Sequence, residues 1–189
     1  MHNKKVLFIT QAAVIAAIYV VLTVIAAGFD LASGMIQVRF SEALTMLPYF
    51  TPAAIPGLAI GCLISNIVTG CMLPDVIFGT LATLIGAVGS HFLKKSKLLV
   101  TVPPVVSNAL IIPFILTYAY KIPGGIPLQI LTVGAGEVIS CMLIGSLLLR
   151  ALLPVRNQLS LEDSFNRNEI NEEEAYGQIS GRRSLFSKR

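Results

Sequence analysis

Six apolar stretches, separated by short polar breaks, account for most of the chain up to residue 153. They are Val6–Gly28, Ser41–Phe50, Ala53–Cys71, Asp75–Leu93, Leu98–Tyr120 and Pro127–Leu153. A helix needs about 20 apolar residues to cross a hydrocarbon core ~30 Å thick. The second stretch, which stops at Thr51-Pro52, meets that length only if residues 36–40 or 51–53 extend it. The pattern predicts an all-α protein, an integral membrane bundle of six transmembrane helices. From Asn157 onward the chain turns polar and mixed in charge with no lasting period. It therefore divides into a membrane domain, residues 1–154, and a tail, 155–189, expected to be disordered and cytoplasmic.

Composition agrees with a membrane class. Of 189 residues, 54% are hydrophobic and 13% charged, against roughly 25% charged in soluble domains, and the mean hydropathy is +0.78. The net charge of +4 does not point to nucleic acid, because no basic patch interleaves with aromatics. Lys4 and Lys5 precede the first stretch, Lys94, Lys95 and Lys97 follow the fourth, and Arg150 and Arg156 flank the end of the sixth. Six crossings put these on one side, which the positive-inside rule makes cytoplasmic, with both termini. Val6–Gly28 is longer than a signal-peptide core and is expected to stay as a membrane helix. Cys62, Cys71 and Cys141 form no metal or redox motif. Cys62 and Cys71 read as one helix, about 13 Å apart at 1.5 Å per residue, too far for a disulfide.

Polar residues inside the apolar stretches are the candidates for function, since an intramembrane charge is costly unless it faces protein or water. Glu137, ten residues past Pro127, falls about 15 Å into the bilayer, near its middle. Asn108 falls near the same depth. Asn66 lies in the outer half, Asp75 opens the fourth stretch, and Arg39 and Glu42 open the second. The polar set thus occupies the middle and outer half, as expected for a cavity open to the outside. Each residue has a second, structural reading. Glu137, after Gly134-Ala135-Gly136, either meets a flat ligand or pairs with a helix packed closely there. Asp75 after Pro74 suits an N-cap, Glu42 suits a helix first turn, and Arg39 could simply neutralise Glu42. Asn66 and Asn108 could bond between helices, and Tyr118 and Tyr120 suit an aromatic belt as well as substrate stacking.

Ala12, Ala13, Ala16 and Ala17 form a narrow face on the first stretch, where another helix could approach closely. No phosphate-binding loop is present, so the chain is not expected to hydrolyse ATP. Neither a metal motif nor a cofactor motif is present. Gly89-Ser90-His91 lacks the nucleophile-elbow pattern, and no nucleophile–base pair suggests an enzyme.

QVRFSEALTMLPYFTPAAIPGLAIGCLISNI, followed by DVIFGTLATLIGA, resembles the QueT transporter family, substrate-binding S components of energy-coupling factor (ECF) transporters. The resemblance covers about residues 5–153. It implies a plasma-membrane protein that captures a queuosine precursor, such as 7-aminomethyl-7-deazaguanine or a related deazapurine. Its partners would be a transmembrane coupling subunit (T component) and two ATPase subunits. It also implies docking through Ala12, Ala13, Ala16 and Ala17, and a substrate site near the outer side. Glu137 would take the guanine-like edge, Asp75 or Glu42 the amine, and Arg39 would tie down the loop above. The alternative is a self-sufficient, proton-coupled secondary transporter of a small planar solute.

Overall fold

The computed structural model describes residues 4–29 and 39–155. Among them there are helices and turns but no strands. Helix α1, Lys4–Gly28, is followed by a 3-10 helix, Phe40–Tyr49. Then come α2, Ala54–Val68, α3, Leu73–Phe92, and α4, Val102–Tyr118. The last rod is α5, Gly125–Glu137, which passes through a π-helical segment, Val138–Ile144, into α6, Gly145–Leu152. These helices belong to one compact unit, Met1–Leu153. The expected disordered tail lies outside the described residues from 156 on, as does most of the first loop, 30–38.

Local chemistry explains the boundaries. Helix α2 stops early because Gly70 takes a left-handed conformation (φ +75°), the usual glycine helix stop. The Thr69 hydroxyl caps the Ser65 carbonyl at 2.7 Å. Cys71 therefore lies beyond the helix that was expected to carry it, and all three cysteines are free. Pro74 sits in the first turn of α3, where its missing N–H costs nothing. Left-handed Lys121, Gly124 and Gly125 turn the chain between α4 and α5.

Among the described residues, four helical spans are long and apolar enough to cross a membrane: Lys4–Gly28, Leu73–Phe92, Leu99–Tyr118 and Gly125–Leu152. The fifteen residues of α2 reach only about 22 Å, and the ten residues of the 3-10 helix about 20 Å. The outside of the bundle is apolar, with Val14, Ile18, Ile64, Leu81, Ile85, Phe114 and Leu147 exposed, while Glu42, Asn66, Asp75, Asn108, Gln129 and Glu137 are buried. This reverses the arrangement of a soluble protein and makes the chain a membrane protein.

Helices approach closely where glycine meets a small residue. A Cβ on Gly57 would lie 2.7 Å from the Ala12 carbonyl oxygen, and one on Gly61 would lie 2.8 Å from the Tyr19 Cβ and 3.1 Å from the Ala16 Cα. Gly86 makes an equivalent approach to Pro104 between α3 and α4. The 3-10 helix packs against α1, α2, α3, α6 and the π segment, so it is an interior element rather than a lipid-facing one. His91 fixes its far end by a 3.1 Å bond to the Pro48 carbonyl, and Ser90 donates to the Val100 carbonyl at 2.7 Å. Both side chains have structural partners.

Candidate functional site: a buried carboxylate cluster

Two unusual helical segments bring distant acids together. In a 3-10 helix, side chains three apart share one side, which aligns Glu42 with Thr45. In the last rod, Val133, Glu137, Cys141, Gly145 and Leu149 are all buried, a strict spacing of four. An α-helix of 3.6 residues per turn would rotate such a series steadily away from the core. The wider π turn takes up the excess and keeps Glu137 and Cys141 facing the 3-10 helix.

There, donor atoms of Glu42, Glu137 and Cys141 lie within 4.8 Å of one another. The Cys141 thiol donates to Glu137 Oε2 at 3.3 Å and approaches the Glu42 carbonyl at 3.4 Å. Thr45 donates to the same carbonyl at 2.5 Å and lies 3.5 Å from Cys141 Sγ. Tyr19 of α1 donates its hydroxyl to Glu42 Oε1 at 2.5 Å, and the Asn108 amide sits beside both carboxylates. Glu42 Oε2 is buried without a hydrogen-bond partner among the described residues. The cluster therefore offers convergent acceptors with spare capacity, which suits an ammonium, a set of ring N–H donors or a metal ion.

A second group lies beside it. Arg39 faces Asp75 at 4.0 Å, and its backbone N–H donates to Ser140 in the π segment at 3.2 Å. Tyr120, between α4 and α5, donates to Asp75 Oδ2 at 3.1 Å and accepts from the Met72 N–H at 3.0 Å. Burial, with the Asp75 charge adding to it, pushes the Tyr120 phenol up to about 12. The hydroxyl therefore stays a donor at ordinary pH. Asp75 Oδ1 is buried and has no partner among the described residues. The Asn66 amide donates to the Asp75 carbonyl at 3.4 Å.

Residues 9–154 match the family described as QueT transporter. The chain belongs to the QueT transporter family. It is also 38% identical over 85 residues to the protein named Queuosine precursor transporter QueT from Lactococcus lactis subsp. cremoris (strain MG1363). That match covers 45% of this chain and 50% of the relative, so the chain spans about half the length of the curated relative it matches. No solved structure matches.

Within this QueT family member, Glu137, Glu42 and Asn108 meet in the first cluster, and Asp75, Arg39 and Asn66 in the adjoining one. Arg39 pairs with Asp75, not with its sequence neighbour Glu42. Tyr118 is 71% exposed and borders an apolar surface groove of about 460 Å³ with Phe78 and Phe114. Tyr120, two residues on, is the tyrosine that reaches an acid. The alanines separate as well: Ala12 and Ala16 are buried against α2, whereas Ala13 and Ala17 are exposed. Tyr19, Thr45, Ser140 and Cys141 are site neighbours that sequence reasoning missed. Their spacing of four from Glu137 and of three from Glu42 was a usable signal for Cys141 and Thr45. Tyr19 left no such signal.

Proposed function

We propose that this chain is the substrate-binding S component of an ECF importer in the plasma membrane, taking up a queuosine precursor. The ligand is a deazapurine such as 7-aminomethyl-7-deazaguanine. The chain crosses the bilayer six times with both termini in the cytoplasm. The 3-10 helix need not match the lipid thickness, because irregular backbone at membrane depth is tolerated when protein covers it. Family membership supports the transport class, and the name of the L. lactis relative supports the substrate.

One observation carries the site: Glu42 and Glu137, distant in sequence, converge in one buried cluster with an open acceptor. A deazaguanine offers adjacent N–H donors that a carboxylate accepts in pairs, and its aminomethyl arm needs a second acid. Glu137 takes the ring edge and Glu42 the amine, with Asn108 between them. Asp75, Arg39 and Asn66 close the outer side. In this reading Glu42 belongs to the grip, and Arg39 stands beside it with Asp75. Transport energy comes from two ATPase subunits through a T component that docks on the exposed alanines of α1.

Ligand released on denaturing the purified full-length chain should have the mass of a deazapurine. A hydrogen bond to a charged group contributes about 1.5–3 kcal/mol. Glu137→Gln should therefore weaken direct binding of 7-aminomethyl-7-deazaguanine by about 10- to 100-fold. Unchanged affinity would overturn the site assignment. A chelator should leave binding intact, because the cluster is filled by the ligand's amine and not by a metal. The adjacent carboxylates also favour a second reading, proton-coupled transport by this chain alone. Uptake by the isolated chain that stops with a proton uncoupler would establish that reading in place of the first.

A further inference from the structure

Glu42 is the one acid of the first cluster held from α1. Its two oxygens are treated differently: Oε1 accepts the Tyr19 hydroxyl at 2.5 Å, and Oε2 is buried with no partner among the described residues. Tyr19 is itself 1% exposed. Its side chain packs in a buried cluster with Leu44, Leu58 and Cys62, and its Cβ stands where Gly61 leaves no room for a side chain of its own. Thr23 adds a 2.9 Å bond to the Tyr19 carbonyl. A phenol held this rigidly leaves the carboxylate little choice of rotation. The thiol of Cys141 and the hydroxyl of Thr45 meanwhile engage the Glu42 backbone carbonyl, not its carboxylate, so among the described residues the carboxylate is held by the Tyr19 hydroxyl, with the Asn108 amide beside it.

We propose that Tyr19 is a positioning residue for substrate binding: it occupies Oε1 of Glu42 and presents Oε2 as the free acceptor for the ligand's cationic arm. Tyr19 does not touch the ligand and acts through Glu42. The inference rests on the proposed binding role of the carboxylate pair and goes beyond it by assigning α1 a share in the site. It also explains an otherwise costly arrangement, because a buried carboxylate oxygen without a partner is unfavourable unless something later fills the position.

The test is a double-mutant cycle on the full chain in detergent, with 7-aminomethyl-7-deazaguanine as the probe. Tyr19→Phe removes one oxygen and keeps the ring packing. It should weaken binding about 10-fold in the wild type, yet by less than two-fold when Glu42 is already Gln. Equal losses in both backgrounds, or no loss in the wild type, would overturn the proposal. If the wild type binds the probe and Glu137→Gln weakens it while Tyr19→Phe does not, only this inference fails. If the wild type does not bind at all, the proposed function fails with it.

Should Tyr19→Phe not fold, 3-fluorotyrosine at position 19 keeps size and hydroxyl while strengthening the donor. A stronger donor on Oε1 should change probe affinity in the wild type and leave it unchanged when Glu42 is already Gln. An equal change in both backgrounds, or none in the wild type, would overturn the proposal.

Discussion

A carboxylate buried in an apolar bundle must be neutralised, hydrogen-bonded or matched by a cation, and the three acids differ in how far that is met. Asp75 has an arginine, a phenol and, on its backbone, an amide. Glu137 has a thiol and Glu42 a phenol. Asp75 is thus the acid with an arginine at ion-pair distance, which suits a latch more than a grip. Arg39→Gln should release the end of the first loop and speed ligand dissociation by about 10-fold, with the Glu137-dependent selectivity retained. Stopped-flow release of bound ligand would show this, and an unchanged off-rate would remove Arg39 from the latch. Tyr120 gives that latch a pH signature. Its folded pKa, about 12, is raised above the ordinary 10.0, so its contribution is complete below pH 10 and is lost as pH rises through 12. The difference in thermal stability between wild type and Tyr120→Phe should therefore vanish across that window.

The elements that shape the site are the two least regular helices. Ten residues of 3-10 helix are long for that geometry, and a π segment inside an α-helix is uncommon. Each sets the angular position of an acid. Depth counting along apolar stretches found Glu137, Asn108 and Asp75, because rise per residue is nearly constant. It could not find Tyr19 or separate Tyr120 from Tyr118, because depth carries no information on direction around the helix axis. The same gap merged Arg39 with Glu42: adjacency in sequence suggested a pair, and the fold sends the guanidinium to α3. Helix ends were legible to within a few residues from Pro52 and Pro74, whose backbone constraints are local, whereas the stop at Gly70 was not read and the expected helix ran on to Cys71. The α1–α2 contact offers a test at this scale. Gly61→Ala drives a methyl into Tyr19 and Ala16, whereas Gly86→Ala meets Pro104 at 2.8 Å in a different helix pair. Overpacking costs about 1–3 kcal/mol in either place. Thermal unfolding should show similar losses for both, and ligand affinity should fall only for Gly61→Ala.

At the scale of the whole molecule, α1 has two faces with different tasks. Ala12, Ile15, Ala16 and Tyr19 turn inward, and Ala13, Val14, Ala17 and Ile18 are exposed. A four-alanine docking face therefore cannot act as one surface, since half of it already packs on Gly57 and Gly61. Bulk added at Ala12 or Ala16 must separate α1 from α2 and move Tyr19, so Ala12→Leu and Ala16→Leu should lower thermal stability and ligand affinity together. Bulk added at Ala13 or Ala17 meets no part of this chain's core. Ala13→Leu and Ala17→Leu should leave stability and ligand affinity near wild type, yet abolish co-purification with a T component. The contrast separates docking from folding, because a lost complex in the inward pair alone would mean that only the fold had been damaged. If the outward pair co-purifies normally with its coupling subunit, the partner docks elsewhere. The exposed strip of α1 would then be a lipid-facing surface.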